Sequence, residues 1–483
     1  MDPQFEFGII GLGTMGRNLL LNMADNHFPV IGYNRNPDRV RELEAEVNPG
    51  TVVKGTSDLA EFVSGLKKPR KIMMLVPAGK AVDDVITQLL SLVDKDDIII
   101  DGGNSHYVDT VKRVSFLAEK GIHFMGIGVS GGEMGARTGP SIMPGGDVKA
   151  WQEVKPVLEA VSAKVNNEPC VAYMGKFAAG HYVKMVHNGI EYAIMQLISE
   201  VYDALKTGVG LTNDELHEVF KSWNEGESKS FLIEITADIF QVKDDLSNEF
   251  LVDKILDKAG AKGTGKWTSQ DALDLGVPIP SIDISVTMRN ISAMKEERVK
   301  AAGLYQVKRN NLQVSKNDFI QQLHDALYAA TTICYAQGLS LLHKASVELK
   351  MEIPLKDVVK IWRGGCIIRS ASLEIFYAAF KSNPDLENLL LDKTIFEILK
   401  RKENSLRETL LQMIESKIPC AGFMSALGYL DSYCSKQLPT NLLQAQRDYF
   451  GAHTYQRIDR EGIFHTEWQQ LPEHESERPE HKP

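Results

Sequence analysis

Short apolar runs and helical periodicities alternate through the first third of the chain. Residues 5–10 (FEFGII) read as a brief buried strand, Met15 to about Ala24 carries helical spacing, and Pro29–Tyr33 is a second strand. The alternation continues with a strand at Lys71–Val76, a helix near Ala81–Leu92, a strand at Asp97–Asp101, a helix near Tyr107–Lys120 and a strand at Ile122–Ile127. This order predicts an α/β domain with a parallel, doubly wound sheet, whose ligands sit beyond the carboxyl ends of the strands. From about Ala178 to Leu438 the period is 3.6 residues with almost no strand signal, which predicts a large all-α domain. A C-terminal tail follows from Pro439, and its polar end, Gln469–Pro483, is expected to be disordered. The expected organisation is therefore 1–177, 178–438 and 439–483, in line with a length of 483 residues.

One helical stretch breaks the pattern of apolar burial. In His181–Gln196 (HYVKMVHNGIEYAIMQ), Lys184, His187, Asn188 and Glu191 fall at i, i+3, i+4 and i+7 and share a face, with Tyr192 beside them. The other faces carry Val183, Met185, Val186, Ile190 and Ile194. Such a stripe is either solvated or lines a site, because an unpartnered buried polar group costs roughly 1–3 kcal/mol.

Composition narrows the class. Hydrophobic residues make up 43% and charged residues 24%, as in soluble globular proteins. No apolar run reaches the length of a membrane span. The start MDPQFEF lacks the basic and apolar regions of a signal peptide, so the mature chain is expected to begin here. Five scattered cysteines without a CxxC pair argue against a disulfide framework or zinc site and fit a reducing cytoplasm. A net charge of −10 disfavours nucleic acid and requires a local basic cluster for any anionic substrate.

The first strand runs into Gly11-Leu12-Gly13-Thr14-Met15-Gly16, which opens a helix that is followed by another strand. This is the setting of a Rossmann-type dinucleotide fingerprint, in which the glycines allow a tight turn, close approach of a pyrophosphate and close helix–strand packing. A carboxylate after the second strand would hold the ribose hydroxyls of NAD. Here Asn34-Arg35-Asn36 stands instead, and a guanidinium pairs with a 2′-phosphate, so NADP is favoured over NAD. At the same sheet edge, Asp101-Gly-Gly-Asn104-Ser105 offers an amide, and Val129-Ser130-Gly131-Gly132 offers a hydroxyl and consecutive amides. Lys262-Gly-Thr-Gly-Lys266-Trp267 is a basic glycine-rich loop, and Arg289 lies on a helical segment beyond it. The tail holds Gln446-Arg447-Asp-Tyr-Phe-Gly-Ala-His453-Thr454, an aromatic, Arg- and His-bearing extension for which a neighbouring subunit is a natural support.

GLGTMG, DGGNS, GVSGGExGAR, KMVHNGIEY, KGTGKW and RDYFGAHTY occur in that order and together resemble the NADP-dependent 6-phosphogluconate dehydrogenases, from about residue 7 to residue 468. GxGxxG and the SGG loop are shared with other β-hydroxyacid dehydrogenases, whereas KMVHNGIEY and RDYFGAHTY are specific. The resemblance implies oxidation of 6-phosphogluconate at C3 and decarboxylation to ribulose 5-phosphate, carbon dioxide and NADPH, in the oxidative branch of the pentose phosphate pathway, without a metal. It places the general base at Lys184 and the general acid at Glu191. It implies substrate contacts from Asn104, Ser130, Gly131, Gly132, His187, Asn188, Tyr192, Lys262 and Arg289, with Arg447 and His453 supplied by the other subunit of a homodimer. Cofactor contacts would fall on Gly11, Leu12, Gly13, Thr14, Met15, Gly16, Asn34, Arg35, Asn36, Val76, Pro77, Ala78 and Asn104.

Departures concentrate on the nucleotide side. Asn36 replaces the family's common threonine, and Pro77 replaces a lysine of the Val-Lys-Ala-Gly pattern, which leaves tolerance of NAD open. In the SGG loop, Met134 and Thr138 replace a glutamate and a tyrosine. Two other readings share part of these features. A β-hydroxyacid dehydrogenase for a short unphosphorylated acid would not need Lys262, Arg289 or Arg447. A non-catalytic NADPH sensor would be free to lose Lys184 or Glu191.

Overall fold

The computed structural model describes residues 4–468, so the polar end Gln469–Pro483 lies outside the described residues. Two compact units comprise Met1–Leu427 and Gly428–Pro483.

In the first unit seven strands build one sheet: Phe7–Ile10 (β1), Val30–Tyr33 (β2), Val53–Thr56 (β3), Lys71–Met74 (β4), Ile98–Asp101 (β5), His123–Ser130 (β6) and Ser141–Gly146 (β7). Their spatial order is β3-β2-β1-β4-β5-β6-β7. Strands β1 to β6 pair in parallel, and only β7 runs antiparallel to its neighbour, so the sheet is not wholly parallel as expected. Alternate side chains enter two cores. Phe7, Ile9, Met73, Ile98 and Ile100 face one, and Ile10, Ile72, Met74 and Ile99 face the other, as the two-residue period of a strand requires.

Two strands carry no legible pattern. VKGT of β3 is short, partly exposed and interrupted by glycine, which suits an edge. SIMPGG of β7 contains a proline and two glycines, residues that mark a loop on sequence grounds. Proline is tolerated because β7 occupies the other edge, where a missing donor breaks no interior ladder.

After a small two-stranded hairpin, Lys164–Val165 with Glu168–Pro169, the first unit is helical from Ala179 on, as expected from the 3.6-residue period. Its centre is the helix Ala179–Asp203, which extends well past the stretch singled out above. It is flanked by the helices Thr264–Asp274, Pro280–Ala293 and Lys316–Glu348 and by strands β6 and β7. Contact with the sheet is made by backbone. A Cβ added to Gly180 would stand 2.2 Å from the Gly126 carbonyl oxygen, 2.3 Å from that of Met143 and 2.6 Å from the Gly145 nitrogen. Along β6, Gly126 faces the His181 ring and Gly128 faces the Lys184 stem, leaving no room for a side chain on either. Among the described residues, no helix is long and apolar enough to cross a membrane.

The second unit contains the helix Thr440–Gly451 and a bridge between Tyr455 and Phe464. Asp448 organises it. Its carboxylate accepts from Thr454 N (2.9 Å), Thr466 N (3.0 Å), Trp468 Nε1 (2.8 Å) and His465 Nδ1 (2.8 Å). Enclosure favours the neutral acid, but these donors prevail and hold its pKa at about 2.

Gly180→Ala is expected to destabilise the protein by about 3 kcal/mol or more, because backbone on both sides cannot yield as a side chain can. Urea or thermal unfolding measures this, and a loss below about 1 kcal/mol would show that the sheet can move aside.

Candidate active site

The site is built where the strand order reverses and where the long helix meets the sheet. After β1 the chain turns through Gly11 at φ 97°, a left-handed conformation that favours glycine. A Cβ on Gly16 would lie 1.9 Å from the Gly11 carbonyl oxygen, so the helix Thr14–Asp25 approaches its own entry loop closely. Gly13 caps that helix without a side chain, leaving its first N–H groups open to an anion. Asn34 Oδ1 accepts from Leu12 N at 3.1 Å and fixes the loop. Arg35 is exposed and joins no ion pair among the described residues. Asn36 behaves differently. Its Oδ1 accepts from Asp38 N at 2.9 Å and caps the helix Pro37–Ala45, so this side chain serves the fold.

Three adjoining cavities run along this edge. One of about 300 Å³ is lined by Gly11, Gly13, Asn34, Arg35, Val76 and Pro77. The next, about 440 Å³, shares Val76 and Pro77 with it and adds Met15, Ala78, Gly103, Asn104 and Trp267. The third, about 690 Å³, shares Met15, Asn104, Val129 and Lys262 with the second. It is also lined by Ser130, Gly131, Gly132, Lys184, Asn188, Glu191, Tyr192 and Arg289. Most of the expected residues of the first unit line this channel; His187 lies just behind its wall, and Leu12, Thr14, Gly16 and Asn36 line none of the three cavities. Arg447 and His453 belong to the second unit, where both are exposed and Arg447 Nη1 donates to Gln444 Oε1 at 3.3 Å.

The polar stripe of the long helix is enclosed. Lys184 and Asn188 are 6% and 9% exposed, and His187 is fully buried. Ser130 Oγ lies 3.2 Å from His187 Nε2, while His187 Nδ1 faces Asn188 Oδ1 at 3.1 Å and Lys184 Nζ at 3.4 Å. Burial drives the His187 pKa well below its usual value, helped by the nearby Lys184, so the ring is neutral and carries one N–H. Burial also lowers the Lys184 pKa, against the attraction of Glu191. Burial raises that of Glu191, against Lys184 and Arg289. Both shift toward the neutral form because desolvation exceeds their mutual attraction. Arg289 is poised by its neighbours, with its guanidinium 3.5 Å from the Tyr192 ring centroid and Nη1 donating to the Gly260 carbonyl at 2.8 Å.

Supporting residues appear that sequence reasoning passed over. His181 Nε2 donates to the Asp101 carbonyl at 3.0 Å, and its Nδ1 accepts from Thr110 Oγ1 at 2.6 Å, tying the long helix to β5. Asp271 accepts from the hydroxyls of both Tyr107 and Tyr182, which anchors the helix behind the Lys262 loop. Ile367 lines the third of these cavities from a non-helical break after Gly364-Gly365, and that glycine pair was the only available signal.

Residues 6–175 match the profile of the NAD binding domain of 6-phosphogluconate dehydrogenase, and residues 180–468 match that of the enzyme's C-terminal domain. The chain belongs to the 6-phosphogluconate dehydrogenase family. It is 54% identical over 466 residues to the NADP(+)-dependent, decarboxylating 6-phosphogluconate dehydrogenase of Bacillus subtilis, covering 96% of this chain and 99% of that one. It is 50% identical over 467 residues to the decarboxylating enzyme of Lactococcus lactis, with the same coverage. The solved 6-phosphogluconate dehydrogenase of Plasmodium falciparum superposes with a TM-score of 0.93 at 46% identity, covering 96% of this chain and 100% of that one. That protein was studied alone, with its cofactor NADP+ and with its substrate 6-phosphogluconate.

The buried lysine yields a test independent of turnover. A lysine whose folded pKa lies below the usual 10.5 destabilises the fold at pH values under that folded pKa, and the cost disappears as pH rises past 10.5. Lys184→Met should therefore raise the melting temperature, by more at pH 6 than at pH 10. An equal or reversed difference would show that the ammonium is well accommodated.

Proposed function

We propose that this chain oxidises and decarboxylates 6-phosphogluconate to ribulose 5-phosphate and carbon dioxide while reducing NADP to NADPH. The observation that carries this reading is the placing of Lys184 and Glu191, both shifted toward neutrality, in one cleft that adjoins the nucleotide cavity. The open N-terminus of the helix Thr14–Asp25 suits a pyrophosphate, and the exposed Arg35 suits a 2′-phosphate. NADP held there would supply the hydride acceptor for C3.

Neutral Lys184 takes the C3 hydroxyl proton, which a lysine can do near pH 7 only when its pKa is lowered. The resulting ammonium then stabilises the oxygen of the C3 carbonyl as carbon dioxide leaves. Glu191, two helical turns away at about 10.5 Å of rise, reaches the far side of a sugar-length substrate. Its raised pKa favours the protonated acid, which suits it to donate the proton that the enediol needs at C1. Ser130 and the Gly131–Gly132 amides hold the carboxylate, Asn104 and Asn188 hold hydroxyls with His187 backing Ser130 and Asn188 from behind the wall, and Tyr192, Lys262 and Arg289 hold the phosphate.

The phosphate site is completed by Arg447 and His453 of a second copy in a homodimer. Exposed Leu442, Leu443 and Phe450 on the tail helix support this, since apolar side chains so placed need a partner. The reading assigns 1–177 to the nucleotide, 178–438 to substrate and dimer contacts, and 439–483 to the partner's site. Five scattered cysteines without a CxxC pair suit a reducing cytoplasm.

Absorbance at 340 nm tests the reaction. Turnover is expected with 6-phosphogluconate and not with 3-hydroxyisobutyrate, and the reverse preference would overturn the reading. Lys184→Met should lower kcat by at least ~10²–10⁴-fold. Arg35→Ala should raise KM for NADP with little effect on NAD, whereas an unchanged NADP/NAD ratio of kcat/KM would remove Arg35 from the 2′-phosphate site.

A further inference from the structure

Arg113 has no part in the chemistry above, yet it lies on the helix Tyr107–Ala118 with a side chain only 5% exposed. Its guanidinium spans two loops of the channel. On the nucleotide side, Nε donates to Asp83 Oδ1 at 2.7 Å and Nη2 to the Gly79 carbonyl at 3.1 Å. These acceptors fix the end of the Val76–Gly79 loop and the first turn of the helix Lys80–Leu89. On the substrate side, Nη1 lies 3.3 Å from Asp101 Oδ2 and 3.5 Å from Ser105 Oγ. The Asp101 carboxylate also accepts from Ser105 Oγ at 2.6 Å and Gly103 N at 3.0 Å, so it shapes the turn that presents Asn104.

We propose that Arg113 is a positioning residue through which nucleotide and substrate binding are coupled. The inference rests on the reaction assigned above. The two loops already touch, since a Cβ on Gly103 would stand 3.2 Å from the Val76 carbonyl oxygen. Val76 and Pro77 line both nucleotide-side cavities, and Asn104 lines the second cavity and the substrate cleft. A planar guanidinium holding acceptors on both loops transmits a shift of one to the other. An ammonium is a single point of charge and does not reproduce that fork. The coupling is reciprocal: NADPH tightens 6-phosphogluconate binding by the factor with which 6-phosphogluconate tightens NADPH binding.

Calorimetry with 6-phosphogluconate, with and without saturating NADPH, measures that factor in a complex that cannot turn over. In the wild type, NADPH should lower the Kd for 6-phosphogluconate by about 5-fold or more. In Arg113→Lys, each ligand alone should bind within about 3-fold of wild type while the tightening by NADPH disappears. Ser105→Ala with Asp83→Ala, which removes one acceptor of Arg113 at each end while Asp101 still pairs the guanidinium, should weaken the tightening and serves if Arg113→Lys does not fold. Full tightening in these variants, or none in the wild type, would overturn the proposal. So would a parallel loss of both affinities and of melting temperature with the factor unchanged, which is what a purely structural arginine gives. A wild type that binds NADPH but does not turn over 6-phosphogluconate would overturn the functional reading, and this proposal with it, before any variant is compared.

Discussion

The first unit depends on one close approach, that of the helix Ala179–Asp203 to strand β6. Gly126, Gly128 and Ser130 occupy alternate positions on one face of the strand and meet His181, Lys184 and His187, which recur every three residues along the helix. Two glycines let the helix sink onto the sheet, and the third position supplies a hydroxyl where the helix begins to leave it. A packed backbone contact leaves little freedom for sliding or rotation. Lys184 is therefore located by the strand that also presents Ser130, and the two sides of the cleft have one origin.

That placement has an energetic cost. Lysine, histidine and glutamate are taken out of water on one helix; Lys184 and Glu191 shift toward their neutral forms because their attraction does not offset the loss of hydration, and His187 does so through burial and the nearby lysine charge. The surrounding helices meet the cost with apolar packing. Gly338 of the helix Lys316–Glu348 fits against Ile190, and Thr268 Oγ1 of the helix Thr264–Asp274 donates to the Met185 carbonyl at 3.0 Å. The same desolvation that strains the fold adapts the lysine and the glutamate to the proposed proton transfers, so stability and activity pull in opposite directions at these positions.

Much of this was legible in the chain. Strands β1, β2, β4, β5 and β6 are apolar, bounded and spaced for an α/β sheet, and the glycine fingerprint falls where a nucleotide loop is needed. The stripe of Lys184, His187, Asn188 and Glu191 could be found from periodicity, but not its exposure, because that depends on Gly126 and Gly128 more than fifty residues away. Edge strands β3 and β7 were hidden by glycine and proline, which edges tolerate and periodicity rejects. Arg113, Asp271 and His181 act through partners distant in sequence, so no local pattern marks their roles.

Asn36 shows how folding constrains the evolution of nucleotide preference. Its side chain is committed to the first turn of the helix Pro37–Ala45, and loss of such a cap costs roughly 1 kcal/mol. Position 36 can therefore vary readily only among capping residues, whatever the nucleotide beside it. Arg35 carries no such obligation among the described residues. Selection can retune the charge of this pocket through position 35 at little expense to the helix, and lineages changing cofactor have an open route there and a guarded one next door.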